Sequence, residues 1–583
     1  MTDFGADPTG RGDATRAIRQ ALEAARDEGG AVRVAFAPGR YAIHAPNAER
    51  RELYISNTVG ADPDHREKAI GILVEGFDDI EVDGRGAVLE FHGRQTTVGV
   101  IDTDVAELHD FTIDMIAPTV VELTVRDGGT TGERSFRILE VPPDLGWSIH
   151  GTEIVWHGEE GVGDFSWSGR GAMEYSQVHD PVRDRTWRAP CTLFDDVVSL
   201  TSQGRGILVE YSSPTPPGDV GLVYQLRNIT RDHPGLLALD SGSVSIRDVC
   251  VGYLHGFGLV AQNGRDLVLE RVRFQTIPGS GRKSAGFADF VQCSAMRGEI
   301  RVADCLFDGA HDDAINIHGT YLRIVGVSGR QALLEYAHPQ TAGFPQFARG
   351  EHADVIVAAT GEVIARALTV VEVSCPSGRD HERDLLTMSV AFEDLPDVVV
   401  KARAGTLAIE NITRAPAVHI CGNTFKNLPT RGVLVSTRKP IVIENNVFDS
   451  LGMAGILISS DASSWWESGP VTDCRISDNE FRLLNGPAVL IEPGGDVSGL
   501  REPVHGTIEL LRNTVYALPE IAEPLVAFTS VAELTLVGNR VDGIDAGDNH
   551  YEYDPSASRY ARRERCSSLH GGQQPWHVAA ADD

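Results

Sequence analysis

Along most of the chain, apolar and polar residues alternate in short runs that Gly, Asn or Asp brings to a close. A period of two marks a strand with one buried face. The runs also repeat as a unit. HICGNTFKNLPTRGVLVST, IVIENNVFDSLGMAGILISS and CRISDNEFRLLNGPAVLIEP each read as a strand, an Asn-containing turn, an apolar Phe, a polar bend with Gly and a second strand. Asn423 and Asn446 are 23 residues apart, Asn446 and Asn479 are 33 apart, and Phe425, Phe448 and Phe481 each follow two residues later. Fainter copies end at Phe274 and Phe307 and surround Asn513 and Asn539. A unit of about 20–30 residues that cannot bury its own apolar face must stack on its neighbours. The pattern therefore predicts an all-β chain, a right-handed parallel β-helix, with the Asn and Phe residues in structural ladders.

Elsewhere the period changes. In DATRAIRQALEAARDEGG, Ala17, Ile18, Leu22 and Ala25 recur at helical spacing, Asp13 is a candidate cap and Gly29-Gly30 a stop, so a capping helix opens the chain. Residues 119–230 and 321–405 show hairpin-like alternation without the coil period, and we read both as antiparallel β modules inserted through loops of the solenoid. The expected organisation is a cap with first coils over 1–118, an inserted module over 119–230, coils carrying the candidate chemistry over 231–320, a second module over 321–405, C-terminal coils over 406–543 and a polar tail over 544–583.

Composition narrows the picture modestly. A hydrophobic content of 42% with 23% charged residues is that of an ordinary globular protein. The net charge of -31 repels polyanions, which disfavours nucleic acid, anionic membranes and polyuronate chains as partners and leaves a neutral ligand. The eight cysteines are scattered, without a CxxC pair, and give no disulfide or metal framework. The start, MTDFGADPTG, has no leader-like pattern and no apolar run reaches membrane-spanning length, so a cytoplasmic location is expected for the chain as given, with export after loss of a leader as the alternative. A homodimer is compatible with all of this.

The most informative stretch is SAGFADFVQCSAMRGEIRVADCLFDGAHDDAINIHGTY. Asp289 falls in one coil and Asp312-Asp313 in the next, and 312 minus 289 is 23, the step between Asn423 and Asn446. With strands about 4.7–4.9 Å apart, the three carboxyls should crowd together, and repulsion should leave a proton on at least one. A held proton beside carboxylates is the equipment of inverting glycoside hydrolysis, where an acid protonates the leaving oxygen and a base activates water. Asp312 is the expected acid, with Asp289 and Asp313 holding the water. Asn316 and His318, just downstream, are candidates to orient a carboxylate or a sugar hydroxyl. A solvated turn or a Ca²⁺ site would use similar residues, but no EF-hand-like loop accompanies them, and neither a metal nor another cofactor is expected.

A second polar cluster, DASSWWESG, offers Trp465 and Trp466 as faces for a pyranose and Glu467 as an acceptor for its hydroxyls; a plug for a solenoid bend is the plainer alternative. Arg438 in VSTRK and His255 in LHGFG end strands at matching coil positions and are weaker candidates for the same groove.

The order of DFGADPTG, RRELYISNT, KAIGILVEG, GAVLEFHGR, DFTIDMIAPTVVELTV, HDDAINIHGTYLRI and WWESGP resembles glycoside hydrolase family 110 over nearly the whole chain. The resemblance implies an inverting, exo-acting α-1,3-galactosidase of the kind that acts on blood-group-B-type glycans, two barrel-like insertions on the β-helix, catalytic roles for Asp289, Asp312 and Asp313, and no metal. Two alternatives stay open: a polygalacturonase-like hydrolase, disfavoured by the missing NTD and RIK motifs and the acidic charge, and a noncatalytic carbohydrate-binding β-helix. A pectate-lyase-like role would need a basic proton abstractor and usually Ca²⁺, and the cluster offers no Arg or Lys at its centre.

Overall fold

The computed structural model describes residues 1–59, 65–143, 145–162, 166–169, 175–190, 192–228, 230–374, 386–516 and 526–542, together with the backbone of 561–564, 568–570 and 576–578. It is a right-handed parallel β-helix. A typical coil runs through Ala417–Cys421, Thr424–Leu428 and Val433–Val435, and the next through Ile441–Glu444, Val447–Leu451 and Ile456–Ile458, every strand parallel to its successor. Alternate side chains point inward, so Val433 and Val435 stack on Ile456 and Ile458 in one apolar core while Leu434 and Leu457 face outward.

Both expected ladders form. Asn423 donates through Nδ2 to Oδ1 of Asn446 at 2.9 Å, and the chain of amides continues through Asn479 and Asn513 to Asn539. Phe307, Phe425, Phe448 and Phe481 stack with ring centroids 4.7–5.1 Å apart. The opening helix spans Thr15–Glu28 and turns Ile18, Ala21 and Leu22 onto the first coils. Asp13 caps it one residue early, accepting the Thr15 amide at 2.9 Å.

Two antiparallel units interrupt the coils. The first is a seven-stranded sheet that leaves the helix at Val121–Thr131 and returns at Val223–Leu226, with a three-stranded sheet beside it. The second is a closed six-stranded barrel from Leu322–Ser328 to Leu407–Asn411, with its own core. In the segment read as a tail, the backbone of Ala561–Glu564, Ser568–His570 and Trp576–Val578 pairs in parallel with the preceding coil; the rest of it lies outside the described residues. Among the described residues no helix is long and apolar enough to cross a membrane.

Candidate active site

Strand register decides which acids meet. Val291 pairs with Ile315 and Ile315 with Val433, so the positions two residues ahead of these strands, Asp289, Asp313 and Arg431, fall in one column. The Phe290 amide donates to the Asp313 carbonyl at 3.1 Å and the Ala314 amide to the Arg431 carbonyl at 3.2 Å, which fixes that alignment. Asp289 thus sits level with Asp313, a step of 24, and Asp312 beside it points off the column; the expected match of Asp289 with Asp312 was one residue out.

The three carboxyls line one cavity of about 930 Å³ on the outer face of the solenoid. Asp289 and Asp313 are almost fully buried. Burial, and then the charges of Asp312 and Asp313, push the Asp289 carboxyl well above the usual carboxylate range, against the pull of Arg231. Its two neighbours are held by guanidinium groups. Arg431 donates its backbone amide and its Nη1 to the two oxygens of Asp313, each at 3.0 Å. Arg188 and Arg231 each donate through Nη2 to Asp312, at 3.2 and 3.1 Å. The expectation that no cation stands near the aspartates is therefore corrected: the cations come from distant parts of the chain. Being permanently protonated, they are also unsuited to abstract a proton.

The first inserted sheet is what closes this corner. Arg188 lies on its strand Arg185–Pro190, and Gln177, on Tyr175–Asp180, donates to the His311 carbonyl at 3.1 Å. The His311 ring lies 3.0 Å from Oε1 of Gln225, whose amide donates to Glu122 at 3.2 Å. Arg231 is supported from below by the Phe257 ring, 4.6 Å from its guanidinium carbon.

Of the other expected residues, Asn316, Trp465 and Glu467 line the cavity. Asn316 is buried, and among the described residues its Oδ1 has no hydrogen-bond partner. His318 lies behind the wall, donating Nδ1–H to the Gly319 carbonyl at 2.6 Å with Nε2 3.3 Å from Glu467. The tandem tryptophans part company. Asp461 accepts the amides of Ser463, Ser464 and Trp465 and so folds the loop. Trp466 then takes a left-handed φ of 62°, which sends the two rings opposite ways. Trp465 is 41% exposed at the cavity, its ring 4.5 Å from that of His338, whereas Trp466 packs against Tyr321, Ile356 and Ala408 of the barrel.

Arg438 also turns away, pairing with Glu410 and, at 3.3 Å, with Asp354. His255 is buried behind the cavity, bonded to Thr119 and Asp232 at 2.6 Å each. Asp232, His233 and His255 form the one cluster of metal-ligand type among the described residues. Its lone pairs are already used: His233 Nε2 accepts the Ala69 amide at 3.1 Å, His255 Nδ1 engages Thr119, and Arg94 holds Asp232 at 2.8 Å. The cluster fits an internal brace better than an ion.

No family model matches the sequence. Among curated proteins, Alpha-1,3-galactosidase A of Streptomyces avermitilis is 43% identical over 554 residues, which span 94% of this chain and 88% of that protein. This chain belongs to glycoside hydrolase family 110. A more distant family relative, Alpha-1,3-galactosidase A of Bacteroides thetaiotaomicron, keeps 32% identity over 86% of this chain and 84% of its own length. The A-module of mannuronan C-5 epimerase AlgE6 from Azotobacter vinelandii, a solved structure, is 12% identical over 100% of this chain and 99% of its own, with a TM-score of 0.39, too loose a likeness to bear on the site. As a family 110 member the chain is a glycoside hydrolase, and Asp289, Asp312 and Asp313 are among the carboxyls that line its cavity.

Proposed function

We propose that the protein releases terminal α-1,3-linked galactose from glycans, acting from the chain end and inverting the anomeric carbon, with Asp289, Asp312 and Asp313 as its acid and base. One observation carries this reading: a buried carboxyl stands beside two others fixed by arginines, in a cavity large enough for a sugar. The relatives' names support galactose and the α-1,3 linkage.

In the reaction, Asp289 gives its proton to the glycosidic oxygen as the bond to the anomeric carbon breaks. Asp313, held by Arg431, takes a proton from a water that attacks the opposite face of that carbon. The products are β-galactose and the shortened glycan. Asp289 ends without its proton and Asp313 with one, and exchange with solvent resets both. A second allocation has a specific observation behind it. The Asp312 side chain is 20% exposed against 4% for Asp313, so a sugar that displaces Arg188 or Arg231 reaches Asp312 first and makes it the acid, with the other two holding the water.

NMR of the first product from an α-1,3-galactosyl disaccharide tests the main claim. Initial β-galactose is expected; α-galactose, or no release, overturns it. Asp289→Asn and Asp312→Asn, assayed on an aryl galactoside with a good leaving group, then separate the allocations, because the variant lacking the acid keeps the larger share of its activity there.

A further inference from the structure

The first inserted sheet carries a row of polar side chains that its own fold does not use. Arg188 pairs in register with Gln177, Gln177 with Gln225 and Gln225 with Glu122, so four adjacent strands set these residues side by side on one face. One position along, Trp187, Val178, Tyr224 and Leu123 make the matching row on the opposite face and pack into the apolar core of the module.

Buried polar groups cost stability unless each finds a partner. This row finds its partners on the solenoid, in two successive coils. Gln177 and Gln225 are almost fully buried and grip His311 from two sides. Gln177 donates through Nε2 to the His311 carbonyl at 3.1 Å, and the His311 ring meets Oε1 of Gln225 at 3.0 Å. Burial, and then the Arg227 and Arg188 guanidinium groups, keep that ring neutral, and Nε2–H is the donor to the Gln225 oxygen. Arg188 reaches the next residue, Asp312. In the preceding coil, Glu122 accepts the Lys283 amide at 3.0 Å and the Ser284 amide at 2.7 Å, in the segment that leads to Asp289. Gln225 donates through Nε2 to Glu122 at 3.2 Å and so joins the two grips.

We infer that this row is a positioning device: through His311 and the Lys283-Ser284 segment, Gln177, Gln225 and Glu122 set the place of Asp312 relative to Asp289. None of the three is among the residues that line the cavity, so they act through others. Acid and base must meet opposite ends of one reacting bond, and a misplacement of about 1 Å costs roughly 100-fold in rate. The inference rests on the galactosidase reading and gives the inserted sheet a part in it.

The test is a double-mutant cycle on an aryl galactoside with a good leaving group. Gln225→Met keeps the length of the side chain and removes both of its hydrogen bonds. It is expected to lower kcat about tenfold with KM within about twofold, and to cost less than about twofold when Asp312 is already Asn. An equal loss in both backgrounds, or an unchanged kcat in the first, overturns the inference, because a residue that only holds the fold has no reason to act through Asp312. Where Asp312→Asn leaves too little rate to read, the split decides, and a loss carried by KM overturns it. Should Gln225→Met not fold, Gln177→Met removes a single bond and is read in the same way, with an expected loss of about threefold. Failure of the galactosidase reading shows before any variant is made, as wild-type protein that cleaves no α-galactoside.

Discussion

The asparagine ladder from Asn423 to Asn539 and the column of Asp289, Asp313 and Arg431 are built alike, with one polar side chain per coil in strand register, yet they end in opposite states. Each ladder amide both donates and accepts, so Asn446 receives from Asn423 and gives to Asn479, and the chain closes on itself while buried and neutral. A carboxylate only accepts. Two of them in successive coils repel, and the column is eased because Arg431 pairs with one while burial and the neighbouring charges favour the protonated form of the other. The same backbone repeat therefore gives a self-satisfied ladder with amides and a column in need of outside partners with acids.

The sharpest way to break this contrast is to make the column resemble the ladder. Asp289→Asn should lower kcat by roughly 10³-fold, the scale of lost acid–base catalysis. It should also stabilise the fold in a pH-dependent way. Because the Asp289 carboxyl is raised in the native state, the stability it lends is full below the ordinary Asp value and is lost as pH rises through its native value. The variant's gain in melting temperature is thus expected to grow from acid to alkaline pH, and a gain independent of pH would sink this account of the column.

The converse change, Asn446→Asp, puts an acceptor-only group among groups that need donors, leaving the carbonyl of Ile420 and Oδ1 of Asn479 without the amide that now serves them. A cost of about 3 kcal/mol is expected, read as a lower urea midpoint. A smaller effect should follow Arg431→Met. Without the guanidinium, ionisation of the column is harder, so the acid limb of the pH–rate profile should move up by roughly one unit. An unmoved limb would mean that Arg431 is a structural pin only.

How much of this was legible in sequence depended on what each residue packs against. The solenoid could be read because Asn423, Asn446 and Asn479, with Phe425, Phe448 and Phe481, obey a rule that the backbone itself imposes. The crowding of Asp289 with the Asp312-Asp313 pair followed from the same rule, although counting residues misses the one-position offset that the turn introduces, and only register shows that Asp289 faces Asp313. Arg431 occupies the same coil position, but the inserted barrel places it 118 residues downstream of Asp313, where no local spacing points to it. Arg188 comes from a sheet outside the repeat altogether. Trp466 was expected at the groove as an aromatic face for a pyranose and Arg438 because its coil position matched that of His255, yet the barrel offers each a closer partner: an apolar pocket for the indole, and Glu410 and Asp354 for the guanidinium.

That separation of 118 residues has a consequence for how the protein is made. A ribosome adding about 5–20 residues per second needs roughly 6–24 s to go from Asp313 to Arg431. During that interval the nascent coil carries a carboxylate destined for burial with no countercharge to receive it. The earlier turns cannot close their acidic edge until the whole barrel has emerged behind them. Assembly of the acidic column is therefore timed by a domain that contributes none of the three acids.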